Sequence, residues 1–227
     1  MCKSPLLTDL SVRVIRNQVW CGRQVSQRPV IAFDFETPAT TYRRNVKNAA
    51  KRLGVSVPNV PDELDVYLEH DDPKAPATRK LFAALEGVIQ SSIALIERAL
   101  SGKPNALVLI DPLELMFRVD TLKKSPVLRL YEELRRLLAK YPHAAIIMTF
   151  NLRKKDKRAW QSSLLLDPRG WLEDVCGTLD ILNRSDVRLG VDAAAHDEDV
   201  RVISGIRRGE EMQPMLIRSV DANGRFA

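Results

Sequence analysis

The sequence has little of what builds covalent frameworks and metal cages. Cysteine occurs three times in 227 residues, at Cys2, Cys21 and Cys176. This odd, scattered set excludes a disulfide framework and any CxxC metal site, and it suits a reducing compartment, so a cytoplasmic protein is expected. The three histidines, His70, His143 and His196, stand alone and read as surface or cap residues. No apolar stretch approaches the roughly 20 residues of a membrane span. The N-terminus carries no basic n-region, apolar h-region or small-residue cleavage site, so no secretion leader is expected. Internal repeats and low-complexity linkers are absent, and one domain over residues 1–227 is the expectation, long enough for one large α/β core. What is present is ordinary for a globular protein: 45% hydrophobic and 28% charged residues. The formal net charge of +6 favours a polyanionic partner such as nucleic acid.

Helical and extended patterns alternate along the chain. Leu6, Leu7, Leu10, Val14 and Ile15 have helical spacing. Val30–Phe35 reads as a strand, followed by a helix from near Pro38 through Tyr42, Val46 and Ala49 to Leu53, with Gly54 as its cap. Val55 to Pro73 reads as irregular, with a short extended piece at Leu64–Leu68. An amphipathic helix is predicted over about Ala77 to Leu100. Strand Ala106–Ile110 and a loop, Asp111 to Lys124, come next. A helix then starts at Ser125-Pro126 and runs to Lys140. Ala144–Thr149 is a further strand, and Gly170–Leu182 a further helix. Val187–Val191, Val200–Ser204 and Met215–Val220 read as closing strands, with a hairpin turn at Arg207-Arg-Gly-Glu210. Strands alternating with helices predict an α/β fold with a mainly parallel, doubly wound three-layer sheet. The closing strands are expected to add antiparallel strands at one edge.

The chemistry concentrates where apolar runs end in acid. Ala106-Leu-Val-Leu-Ile-Asp111 is too short for a core helix and reads as a buried parallel strand. An Asp at its carboxyl end lies where α/β sheets bind ligands. In P-loop NTPases that carboxylate helps to hold the nucleotide's Mg²⁺. Val30-Ile-Ala-Phe-Asp-Phe-Glu36 repeats the pattern. Lys3-Ser4 opens a helix, as the last two residues of G-x-x-x-x-G-K-[ST] do. A basic run, Arg153-Lys-Lys-Asp-Lys-Arg158, is followed by Trp160. Its cations suit phosphates and its aromatic suits base stacking.

In order and spacing, nearly the whole chain resembles the RecA-like P-loop ATPases, particularly the RepA- and DnaB-type hexameric replicative helicases and related AAA-type ATPases of phages and mobile elements. The resemblance implies an ATP- and Mg²⁺-dependent motor of the helicase, replication or repair type. It implies a homo-oligomer, a hexameric ring or a filament, acting on single-stranded DNA with no membrane involved. It assigns Lys3 and Ser4 to the phosphates, Ser4 and Asp111 to the metal and Glu36 to the attacking water. Asn151 takes the place of the γ-phosphate sensor, and Arg207 that of the arginine reaching a neighbour's site. Arg153, Lys154, Lys155, Lys157 and Arg158 fall on the loop that faces the DNA channel.

The departures are specific. Cys2 stands where the family has the Gly before the Lys, and no Gly-rich loop precedes Lys3. Pro5 follows Ser4, and Gly205 replaces a frequent Lys. Two readings stand: a chain shortened at its N-terminus, the favoured one, or an ATP-inactive nucleic-acid-binding or assembly subunit that keeps the fold. The residues also admit plainer roles. Lys3-Ser4 suits an ordinary polar N-terminus, Glu36 a helix start, and Asp111-Pro112 a turn. Arg207 with Arg208, and the 153–158 run, suit solvated charge.

Overall fold

Short apolar runs become the strands of the central sheet. The structure, a computed structural model, describes residues 3–54, 63–68, 89–151, 163–173, 178–194 and 197–218. The chain forms two compact units, one of residues 4–120 and 128–150, the other of residues 1–3, 121–127 and 151–227.

The first unit holds a four-stranded parallel sheet of β1 (Val30–Asp34), β2 (Leu64–Leu68), β3 (Leu107–Asp111) and β4 (Ala145–Met148), in the order β2-β1-β3-β4. β1 and β3 are buried along their full length, which is why they read as unbroken apolar runs. Helices α1 (Lys3–Ile15) and α2 (Ala39–Arg52) cover one face, where Leu10, Val14, Tyr42, Val46 and Ala49 pack with Val30, Ala32, Leu107 and Leu109. Helices α3 (Ile89–Gly102), α4 (Leu113–Phe117) and α5 (Lys124–Lys140) cover the other, where Ile96, Leu100, Phe117, Leu130 and Leu134 pack with Ile31, Phe33, Val108 and Ile110. Each fully buried aliphatic side chain contributes about 1.5–3 kcal/mol. Asp9 of α1 is buried but paired, with Arg13 and Arg52 each at 2.7 Å, as a buried carboxylate requires.

The sheet order carries a consequence. The chain passes from β1 to β2 on one side and returns to place β3 on the other. The reversal lies between the carboxyl ends of β1 and β3, the switch point at which open α/β sheets form a crevice.

The second unit holds an antiparallel sheet of β5 (Val187–Ala194), β6 (Asp197–Arg207) and β7 (Glu210–Arg218), with helices α6 (Pro168–Glu173) and α7 (Asp180–Asn183). Leu164, Trp171 and Leu172 pack with Val202 and Ile206. Positive φ at Arg208 (50°) and Gly209 (89°) closes the β6–β7 hairpin, the turn type whose twist matches its strands. A Cβ at Gly205 would lie 1.9 Å from the Arg188 carbonyl oxygen, so only glycine admits this approach of β5.

The α/β fold with a parallel sheet is as expected, with three corrections of detail. The closing strands are antiparallel but form a sheet of their own; β6 is paired on both sides by its sequence neighbours, so hairpin pairing satisfies them locally. The expected loop after Asp111 contains α4, whose Leu113, Met116 and Phe117 are buried; one helical turn was too short to show a period. The helix expected over Gly170–Leu182 is interrupted at Thr178 and Leu179, between α6 and α7, with residues 174–177 outside the described ones. The expected helix segment 77–88 lies outside the described residues.

Candidate functional site

Parallel pairing sets Asp34 of β1 directly beside Asp111 of β3. Strand alternation sends both to the face covered by α1 and α2, and both are only 3% exposed. The ladder continues past them, with Phe35 N donating to the Asp111 carbonyl at 2.8 Å. Two buried carboxylates therefore share the switch point of the sheet.

Hydroxyls surround Asp111. Ser4 Oγ, from the first turn of α1, donates to Asp111 Oδ2 at 2.5 Å. Thr149 Oγ1, just past the end of β4, donates to Asp111 Oδ1. Pro5 is tolerated in the first turn because no intrahelical partner awaits its missing N–H. The α1 N-terminus supplies a positive dipole end beside a carboxylate.

Asp34 shapes the turn that follows β1. Its Oδ1 accepts the backbone N–H of Glu36 at 3.0 Å and of Thr37 at 2.8 Å. Burial pushes its carboxyl above the usual range; the N–H donors of Thr37 and Glu36 oppose this, and the Asp111 charge adds to it. Buried Tyr42 of α2 feels the same charges: burial raises its phenol first, and the Asp34 carboxylate raises it further.

The residues assigned from sequence separate into groups. Ser4 and Asp111 meet. Lys3 Nζ donates to Asn151 Oδ1 at 2.5 Å, so the assigned phosphate and sensor residues also meet. Glu36 lies on the turn that Asp34 caps, and it is exposed. Arg207 ends β6 and is exposed. Arg153, Lys154, Lys155, Lys157 and Arg158 lie outside the described residues. Asp34, Thr149 and Tyr42 carried no assignment. Asp34 was visible as the first acid of Phe33-Asp-Phe-Glu36, but only the register tells which acid faces Asp111.

The donors fit a magnesium-bound phosphate. A serine hydroxyl and a carboxylate are hard oxygen ligands, and Mg²⁺ needs only one or two such groups beside waters and substrate phosphates. No cluster of three or more His, Cys, Asp or Glu suited to a metal exists among the described residues. No helix among them is long and apolar enough to cross a membrane.

Residues 1–157 match the model of a family described as an AAA domain. No curated protein matches the chain.

Proposed function

Because the chain belongs to the AAA-domain family, and so to the P-loop class of ATPases, we propose that it binds and hydrolyses ATP at the β1–β3 switch point and acts on DNA as a motor of the helicase, replication or repair type. The observation that carries this reading is the Ser4–Asp111 pair: a hydroxyl from a helix start and a carboxylate from a strand end, 2.5 Å apart. Bound Mg²⁺ would neutralise charge on the phosphates. Ser4 and Asp111 would hold it, displacing their mutual hydrogen bond. Lys3 would bind phosphate, and Asn151, its present partner, would report on it. Glu36 would orient the attacking water, and Arg207 of a neighbouring copy would stabilise charge that develops in transfer. The 153–158 run would hold single-stranded DNA through its cations. Such a trans-acting arginine depends on assembly into a homo-oligomeric ring or filament.

Thermal melting of the 227-residue chain with saturating MgATP tests the site. Nucleotide at a hundredfold over its Kd stabilises by about 2.7 kcal/mol, a shift of about 5–10 °C at this size. Asp111→Asn is expected to abolish the shift; a shift that survives it places the metal elsewhere. Glu36→Gln should keep the shift and lose hydrolysis.

A second reading rests on Cys2 in the place of the family's glycine. A phosphate cradle is built from backbone N–H groups of a Gly-rich loop. An absent shift in the wild type would mean that these 227 residues lack a working cradle, and salt-dependent DNA binding that no nucleotide alters would then support a nucleic-acid-binding or assembly subunit.

A further inference from the structure

We propose that the exposed stripe of α2 is a nucleic-acid contact surface in its own right, binding a phosphate backbone through Arg43, Arg44, Lys47 and Lys51. The helix reads ATTYRRNVKNAAKR, with basic residues at 43, 44, 47, 51 and 52 and no acid. Its apolar face, Tyr42, Val46, Ala49 and Ala50, is buried in the core. Arg43, Arg44, Lys47 and Lys51 are all exposed. Arg52 alone of the five is paired, with Asp9; among the described residues no ion pair involves the other four.

Helix stability does not account for this arrangement. Positions 43, 47 and 51 follow one another at i, i+4 and i+8, so like charges stack, which is unfavourable. The helix dipole favours a cation in the last turn, which covers Lys51. It does not cover Arg43 and Arg44, and the first turn holds no acid. α5 shows the contrasting solution on the same unit. There Glu132 and Glu133 precede Arg135 and Arg136, and Arg136 pairs with Glu133 at 2.7 Å. Among the described residues nothing compensates the α2 stripe, and it complements an external row of negative charge.

A nucleic acid fits that row, because every residue of the stripe is a cation and α2 carries no acid. Successive stripe positions rise by about 6 Å. A phosphate backbone carries one negative charge per nucleotide, a regular row that cations repeating at this interval can follow. The surface is distinct from the 153–158 run and needs no bound nucleotide.

The test is binding of a fluorescently labelled oligothymidine by the full 227-residue chain, without nucleotide, from 50 to 200 mM salt. Each neutralised phosphate adds about 0.7 to the slope of log K against log salt. R43Q/R44Q/K47Q/K51Q is expected to lower the slope by about 2–3 and to weaken binding about tenfold or more at 50 mM, with an unchanged or higher Tm because repulsion is relieved. K47R/K51R, which keeps the charge, should keep the slope. If the four-charge variant melts lower than the wild type, R43Q/R44Q decides, with an expected loss of about 1.4 in slope. Absence of binding by the wild type, or an unchanged slope in the neutralised variant, overturns the proposal. So does a variant that loses only its binding to anionic lipid vesicles. K154A/K155A, measured alongside, separates this surface from the loop: loss there alone sinks the α2 stripe, and loss in the α2 variant alone supports it and sinks the loop.

Discussion

The two sheets spend their side chains differently. In the parallel sheet, β1 and β3 are buried on both faces and end in Asp34 and Asp111. In the antiparallel sheet, Gly190 and Val202 belong to a packed face with Trp171, while Val187, Leu189 and Leu216 remain largely exposed. A strand covered on both sides has nowhere to place a polar group except at its end. That restriction delivers two carboxylates to one point. The antiparallel strands face no such restriction, and Arg207 stays exposed at the hairpin end of β6.

The contrast breaks most sharply by truncation. Ile110 is fully buried in β3 and Leu216 is 65% exposed in β7. Ile110→Ala should cost about 2–5 kcal/mol, whereas Leu216→Ala should stay within about 0.5 kcal/mol. Urea denaturation of both variants measures it. Equal costs would mean that the exposed face of the antiparallel sheet is covered in solution.

A second, smaller effect tests the packed face. A Cβ at Gly190 would lie 2.5 Å from the Trp171 ring and 2.7 Å from the Leu164 side chain. Gly190→Ala must displace the indole, whose Nε1 donates to Asp192 Oδ2 at 2.8 Å. The expected cost is about 1–3 kcal/mol, with an altered Trp171 fluorescence maximum. Unchanged emission together with unchanged stability would show that Trp171 does not pack there.

These differences also decide how much was legible beforehand. β1 and β3 were plain, because a doubly covered strand writes its burial as one apolar run. Asp111 was plain for the same reason. The hairpin at Arg207-Arg-Gly-Glu210 was legible from its glycine. The separate antiparallel sheet was not, because alternating strands do not say which partner they take. α4 was hidden because five residues hold barely more than one turn. Asp34 and Glu36 sit two residues apart, and only the pairing of Asp34 with Asp111 tells which of them lies beside it. The hydroxyl of Thr149 is brought to Asp111 by β4, and a contact across 38 residues leaves no local pattern.

The smallest expected effect concerns that overlooked carboxylate. Asp34→Asn keeps an oxygen to accept the N–H groups of Glu36 and Thr37, and it removes the charge that burial and Asp111 disfavour. Folding raises the Asp34 carboxyl above its ordinary value of 3.8. Between that value and the raised one, the folded state holds the proton more tightly than the unfolded state. In that window wild-type stability falls as pH rises, and above it the loss is constant. The asparagine variant lacks this term. The variant should therefore match the wild type at low pH, gain on it as pH rises through the window, and keep a lead of at most about 1 kcal/mol at neutral pH. Melting curves of both proteins from pH 3 to pH 8 measure the difference directly. A difference that shrinks with rising pH would mean that the charge of Asp34 is stabilised where it sits, and that a cation or donor besides the two backbone N–H groups holds it. In that case the switch point of the parallel sheet would be neutralised by its own residues, and the comparison between the two sheets would lose its basis in buried charge.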